Sequence, residues 1–181
     1  MRFAEELEKI PEIVAEQEKQ ARIKSIETKI KSAVGEIQGI CRRVAESGKR
    51  YVELYYYHDE GDADSYGHSG FERWDDGRGL IYPITYLTKE ERILNDWEKV
   101  INGIQMWGNE QGFKKFVIRF EDIVEISRNQ ESYGKIIKKY RLVDGYNRTV
   151  ITKDNITKYT SERIKKMLEN EEKCIYVEIE W

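Results

Sequence analysis

Cysteine and proline are almost missing from this 181-residue chain, which has two of each. Cys41 and Cys174 stand far apart and form no CxxC pair, which excludes a disulfide framework and a paired-cysteine zinc site. With prolines only at Pro11 and Pro83 and no Ser/Gly-rich tract, no linker divides the sequence, and no solenoid period recurs. Long apolar runs are lacking too, so no segment reads as a membrane span. The first residues, MRFAEELEKI, are acidic where a secretory leader carries an apolar run, and a soluble cytoplasmic protein is expected. The signatures of the common chemistries are also missing: no GxxxxGK[ST], no strand followed by GxGxxG, no GxSxG and no HExxH. No cofactor is expected, and a non-enzymatic role is favoured. Lys plus Arg (31) nearly balances Asp plus Glu (34), so the net charge of -3 names no partner. The distribution of charge is the informative quantity.

What is present begins with Ile23, Ile26, Ile30, Ala33, Ile37, Ile40 and Val44, spaced three and four apart as one stripe of an α-helix. Phe3, Leu7 and Ile10 form a short amphipathic turn that Pro11 should interrupt, and one long helix is predicted from Glu12 to about Ser47. Its first part, AEQEKQAR, has no core face. Residues 1–22 are therefore expected to protrude as a helical segment, with 23–181 forming one domain. Apolar Val34 and Cys41 widen the stripe beyond a two-stranded seam. That favours packing on its own sheet, with a homodimer through the N-terminal helix as the alternative. Gly48 should end the helix.

Tyr51–Tyr57, YVELYYY, alternates Val52, Leu54 and Tyr56 with Tyr51, Glu53, Tyr55 and Tyr57, the period of a half-buried strand. LIYPITYL (80–87) reads as an edge strand because of Pro83. Thr88 and Glu91 make a capping box for a second helix, with Ile93, Leu94, Trp97, Val100, Ile101, Ile104 and Trp107 on one face and Gly108 closing it. Phe116, Ile118 and Phe120 open another strand region, running toward Ile126. Asp144-Gly145 turns a hairpin over 135–152, a last helix follows Asp154, and CIYVEIEW closes the chain as a strand. The fold class is α+β: a long N-terminal helix and a second helix packed on a mostly antiparallel sheet of about five or six strands.

Two stretches carry candidate chemistry. From Glu53 to Asp76, the acids Glu53, Asp59, Glu60, Asp62, Asp64, Glu72, Asp75 and Asp76 face a single cation, Arg73, with Tyr55, Tyr57, Tyr66 and Trp74 among the interleaved rings. A mobile polar loop explains the carboxylates but not so many rings. Spaced acids beside aromatic anchors suit a basic partner. A calcium loop from Asp62 fails at its twelfth position, where Arg73 replaces the bidentate acid. His58 and His68, the only histidines, are the centre of an alternative metal-dependent enzyme, although their spacing fits no familiar ligand pattern. The second stretch is basic: Lys135, Lys138, Lys139, Arg141 and Arg148 on the hairpin make a nucleic-acid-binding module the other alternative, unless these lysines only guard a sheet edge.

In build, the chain resembles small phage or mobile-element inhibitors of the anti-CRISPR type. It is short and single-domain, rich in Ile, Lys, Glu and Tyr, with acid concentrated in HDEGDAD and ERWDDG. The resemblance implies a non-enzymatic binding protein that blocks the nucleic-acid site of a larger basic partner such as a Cas nuclease, through an acidic surface that mimics DNA phosphates.

Overall fold

The computed structural model describes residues 3–61, 67–73, 84–122, 166 and 169–181. Helix α1 (Phe3–Glu46) runs unbroken for 44 residues, through Pro11. The expected interruption there does not occur. Proline removes one intrahelical donor, and the carbonyl left open is that of Leu7, on an exposed turn that water reaches. From Leu7 to Ser25 every residue is exposed. Packing begins only at Ile26 and Ile30, which are half-buried, and is complete at Ala33, Ile37, Ile40 and Val44. Ile23, placed on the stripe by its spacing, stays exposed. The helix stops in a Schellman arrangement: the Gly48 N–H donates to Ala45 O (2.9 Å) and the Lys49 N–H to Val44 O (3.3 Å). Gly48 has φ +81°, a conformation glycine reaches without strain.

Strand β1 (Tyr51–Asp59) pairs antiparallel with β2 (His68–Arg73) on one side and with β4 (Lys173–Glu180) on the other, and β4 pairs antiparallel with β3 (Lys115–Asp122). The sheet order is β2-β1-β4-β3, four strands among the described residues. The register sets Leu54 beside Val177 and Val177 beside Ile118, with Val52, Ile179 and Phe116 forming the next row. These side chains face the helices. Ile37, Ile40 and Val44 of α1 and Val100, Ile101 and Ile104 of α3 (Trp97–Glu110) close the core against them.

The capping box at Thr88 and Glu91 is present, but the helix it opens is short. α2 (Lys89–Leu94) ends, and Asp96 takes a left-handed conformation (φ 53°) before α3 begins. That break swings Ile93 and Leu94 off the stripe of Trp97, Val100, Ile101 and Ile104 and leaves both exposed. Gly108 lies inside α3, buried. The glycine past the helix end is Gly112, with φ +73°. The described part of 80–87 forms no strand, only a bridge in which Leu87 and Lys173 exchange backbone hydrogen bonds of 2.8 and 3.0 Å. The expected hairpin, the strand beyond Asp122 and most of the last helix lie outside the described residues.

Among the described residues β2 is an edge strand, and its outward Phe71 N–H is covered by the Glu36 carboxylate of α1 at 2.7 Å. Burial raises the pKa of this carboxyl, and the bonds from Phe71 and Ser32 only partly offset it. A carboxyl raised in the folded state is least costly when protonated, so its penalty grows as pH climbs through the carboxylate range. Glu36→Gln keeps an acceptor for Phe71 without that charge. Its urea midpoint is expected to rise relative to the parent between about pH 4 and pH 7. A variant that loses ground over that interval would contradict the assignment.

Candidate functional site

The sheet's second face is built from the alternate residues of each strand. Tyr51, Glu53, Tyr55, Tyr57 and Asp59 of β1 share it with His68 and Glu72 of β2, Tyr176, Glu178 and Glu180 of β4, and Lys115, Arg119 and Glu121 of β3. Among the described residues the helices pack on the opposite face. The sequence-derived candidates Glu53, Tyr55, Tyr57, Asp59 and Glu72 are thus brought together, and Glu60 follows at the strand end. Asp62, Asp64, Tyr66, Trp74, Asp75 and Asp76 lie outside the described residues, as do Lys135, Lys138, Lys139, Arg141 and Arg148.

The centre of this face is closed. Tyr55 is 1% exposed, Tyr176 2% and Glu178 7%. Tyr55 is therefore a buried support rather than the free aromatic anchor expected of it. Glu53 and Glu178 are direct cross-strand partners, a like-charge pairing that needs relief. The Tyr51 hydroxyl lies 2.8 Å from Glu53 Oε1 and 3.0 Å from Glu178 Oε1, and the Tyr176 hydroxyl donates to Glu53 Oε1. Lys115 Nζ stands 2.9 Å from Glu178. Burial, then the Glu53 carboxylate, pushes the Tyr176 hydroxyl far above the usual phenol range, so it stays a donor. Arg119 lies 5.0 Å over the Tyr176 ring and bonds Glu121. Burial works against its charge, but Glu121, Tyr176 and Glu178 outweigh that and its pKa rises. Glu53 is thus held by two tyrosines and is not a free anion for a partner. Its partners on β4 were not legible as such, because their only local signal is the alternation in CIYVEIEW.

The open part of the face is its outer end. Tyr57 and Glu72 are half-buried, Asp59, Glu60 and His68 are exposed, and the Tyr57 and His68 rings meet edge-on at 6.0 Å. Asp59 Oδ1 accepts the Gly61 N–H at 3.0 Å, which fixes the carboxylate at the strand end. No family model, curated protein or solved structure matches the chain. Its chemistry is therefore read from these residues alone. Asp59 pairs with His68 across the strands, whereas His58, its neighbour, turns to the other face. The two histidines therefore lie on opposite faces of the β1–β2 pair. No group of three or more His, Cys, Asp or Glu side chains is placed to hold a metal among the described residues. Nor, among them, is any helix long and apolar enough to cross a membrane.

Proposed function

We propose that this chain is a non-enzymatic binding protein that docks a basic partner on the outer end of β1 and β2, as an inhibitor occupying the nucleic-acid site of that partner would. The observation that carries the reading is the placement of Tyr57, Asp59 and Glu72 on one face, beside exposed Glu60, over the closed Tyr55–Tyr176 centre. A half-buried ring flanked by fixed carboxylates supplies an aromatic contact and the charge that steers a cationic groove onto it. A Cas-type nuclease is one partner of that chemistry.

The test is a pull-down from bacterial lysate, nuclease-treated and untreated side by side, with the parent chain and an Asp59→Asn/Glu60→Gln/Glu72→Gln variant. The expected result is a basic protein retained by the parent, bound at least about tenfold more weakly by the variant, and with a flatter salt dependence. A captured partner that binds both forms alike would refute this placement of the site, and retention only of nucleic acid would shift the function to the basic residues of 135–148.

A further inference from the structure

The stripe that packs α1 onto the sheet, from Ile26 to Val44, is used inside the chain. A second stripe lies on the exposed part of the same helix. Leu7, Ile10, Val14, Gln17 and Ala21 follow one another at gaps of three and four with no charged residue among them, and Ile13 flanks them. All are exposed, and Leu7, Ile10, Ile13 and Val14 open about half of their apolar side chains to water. At about 100° per residue this stripe is centred roughly a third of a turn away from the packed one, so it does not continue that stripe onto the sheet. A lone helix of this length is marginal in water, and an apolar stripe on it is stabilised by a partner that covers it.

Charge selects the partner. In the first part of the segment Glu8, Glu12, Glu16 and Glu18 stand against Lys9 alone, and then Lys19, Arg22 and Lys24 follow with no acid between them. Arg22 is held by Asp96 at 2.7 Å, and Lys19 has an exposed contact with Glu16 at 3.9 Å. An identical helix laid alongside in the same direction sets acid beside acid and base beside base. Laid in the opposite direction, it sets the acidic turns of each copy beside the basic turns of the other, and the two helix dipoles also oppose.

The same direction of pairing meets a second apolar feature. The junction of α2 and α3 is tied to the base of the segment, where Arg22 reaches Asp96 at 2.7 and 2.9 Å and Lys29 Nζ reaches the Asn95 carbonyl at 3.0 Å. Ile93 and Leu94, which immediately precede that junction, are both exposed. An antiparallel copy carries its own apolar first turns to this end, and a parallel copy carries them away from it. We propose that α1 pairs antiparallel with α1 of a second copy of this chain through Leu7, Ile10 and Val14, forming a dimer joined outside the folded domains. The pairing does not rest on the docking site proposed above. Few side chains contribute from each copy, so the interface is small and the dimer forms only at high concentration.

The experiment is sedimentation equilibrium of the full chain from about 10 μM to about 1 mM. The weight-average mass is expected to rise from that of one chain toward twice that value, with a Kd of about 0.1 mM. Leu7→Gln/Ile10→Gln/Val14→Gln should associate at least about tenfold more weakly. Because these side chains are exposed, its urea midpoint at low concentration should match the parent's. Glu8→Lys/Glu12→Lys should associate at least about threefold more weakly, because it sets base beside base in an antiparallel pair, whereas in a parallel pair it only exchanges one like-charge contact for another. A parent chain that stays single at about 1 mM would overturn the proposal. So would a triple variant that associates as the parent does, which places the contact elsewhere, or a charge variant that associates at least as well as the parent, which marks a parallel pair.

Discussion

Truncating Ile37 to alanine is expected to remove about 3–4 kcal/mol of folding stability, read as a fall in the urea midpoint at unchanged slope. Ile37 is fully buried where α1 crosses the sheet, in one cluster with Leu54, Ile104 and Val177. The loss combines the transfer free energy of the missing methyl and methylene groups with a cavity that a helix and a sheet meeting there cannot close. Ile10 is the same residue type on the same helix but is 48% exposed, and Ile10→Ala should stay within about 0.5 kcal/mol. Equal effects at the two positions would show that α1 is held by its own helix propensity rather than by packing. Against a typical total of about 5–15 kcal/mol, the difference is easily resolved.

Gly108→Ala is expected to destabilise by about 2 kcal/mol, although alanine is the better helix former by about 1 kcal/mol. An added Cβ would stand 2.1 Å from Phe116 Cδ1. The ring has no room to retreat: Trp107 meets it edge-on at 5.6 Å and Phe113 stacks on it at 5.7 Å. The steric term therefore exceeds the propensity term. In a Phe116→Leu background the same glycine substitution should cost clearly less, a coupling that a double-mutant cycle measures. A Gly108→Ala chain at least as stable as the parent would mean that α3 and β3 are not packed this closely.

Gly108 also shows where the sequence stopped being informative. A glycine near the end of a periodic helix reads as its terminator, and only the approach of Phe116 reveals a contact glycine. Period carried the parts that depend on local spacing: the Ala33–Val44 stripe, the alternation of β1 and β4, and the Thr88–Glu91 cap. It missed the left-handed Asp96, which has no periodic signature and divides one expected helix into two. It also misjudged Pro11, because the effect of a missing donor depends on whether water reaches the orphaned carbonyl. In the candidate site, alternation placed Glu53, Tyr55 and Tyr57 on one side correctly, and Asp59 joins them because β1 runs two residues past the expected strand end. Which of them remains accessible depends on Tyr176 and Glu178, whose pairing with β1 is set by strand register and is not encoded near either strand.

The bidentate contact of Arg22 with Asp96, at 2.7 and 2.9 Å, marks the last point at which α1 is anchored before its exposed stretch begins. Beyond it the helix extends for about 20 residues, roughly 30 Å at 1.5 Å per residue. Friction in water is governed by the longest dimension, whereas mass resides in the domain. An exposed helix of that length is expected to raise friction above that of a sphere of equal mass, so sedimentation is the better count of how many chains travel together.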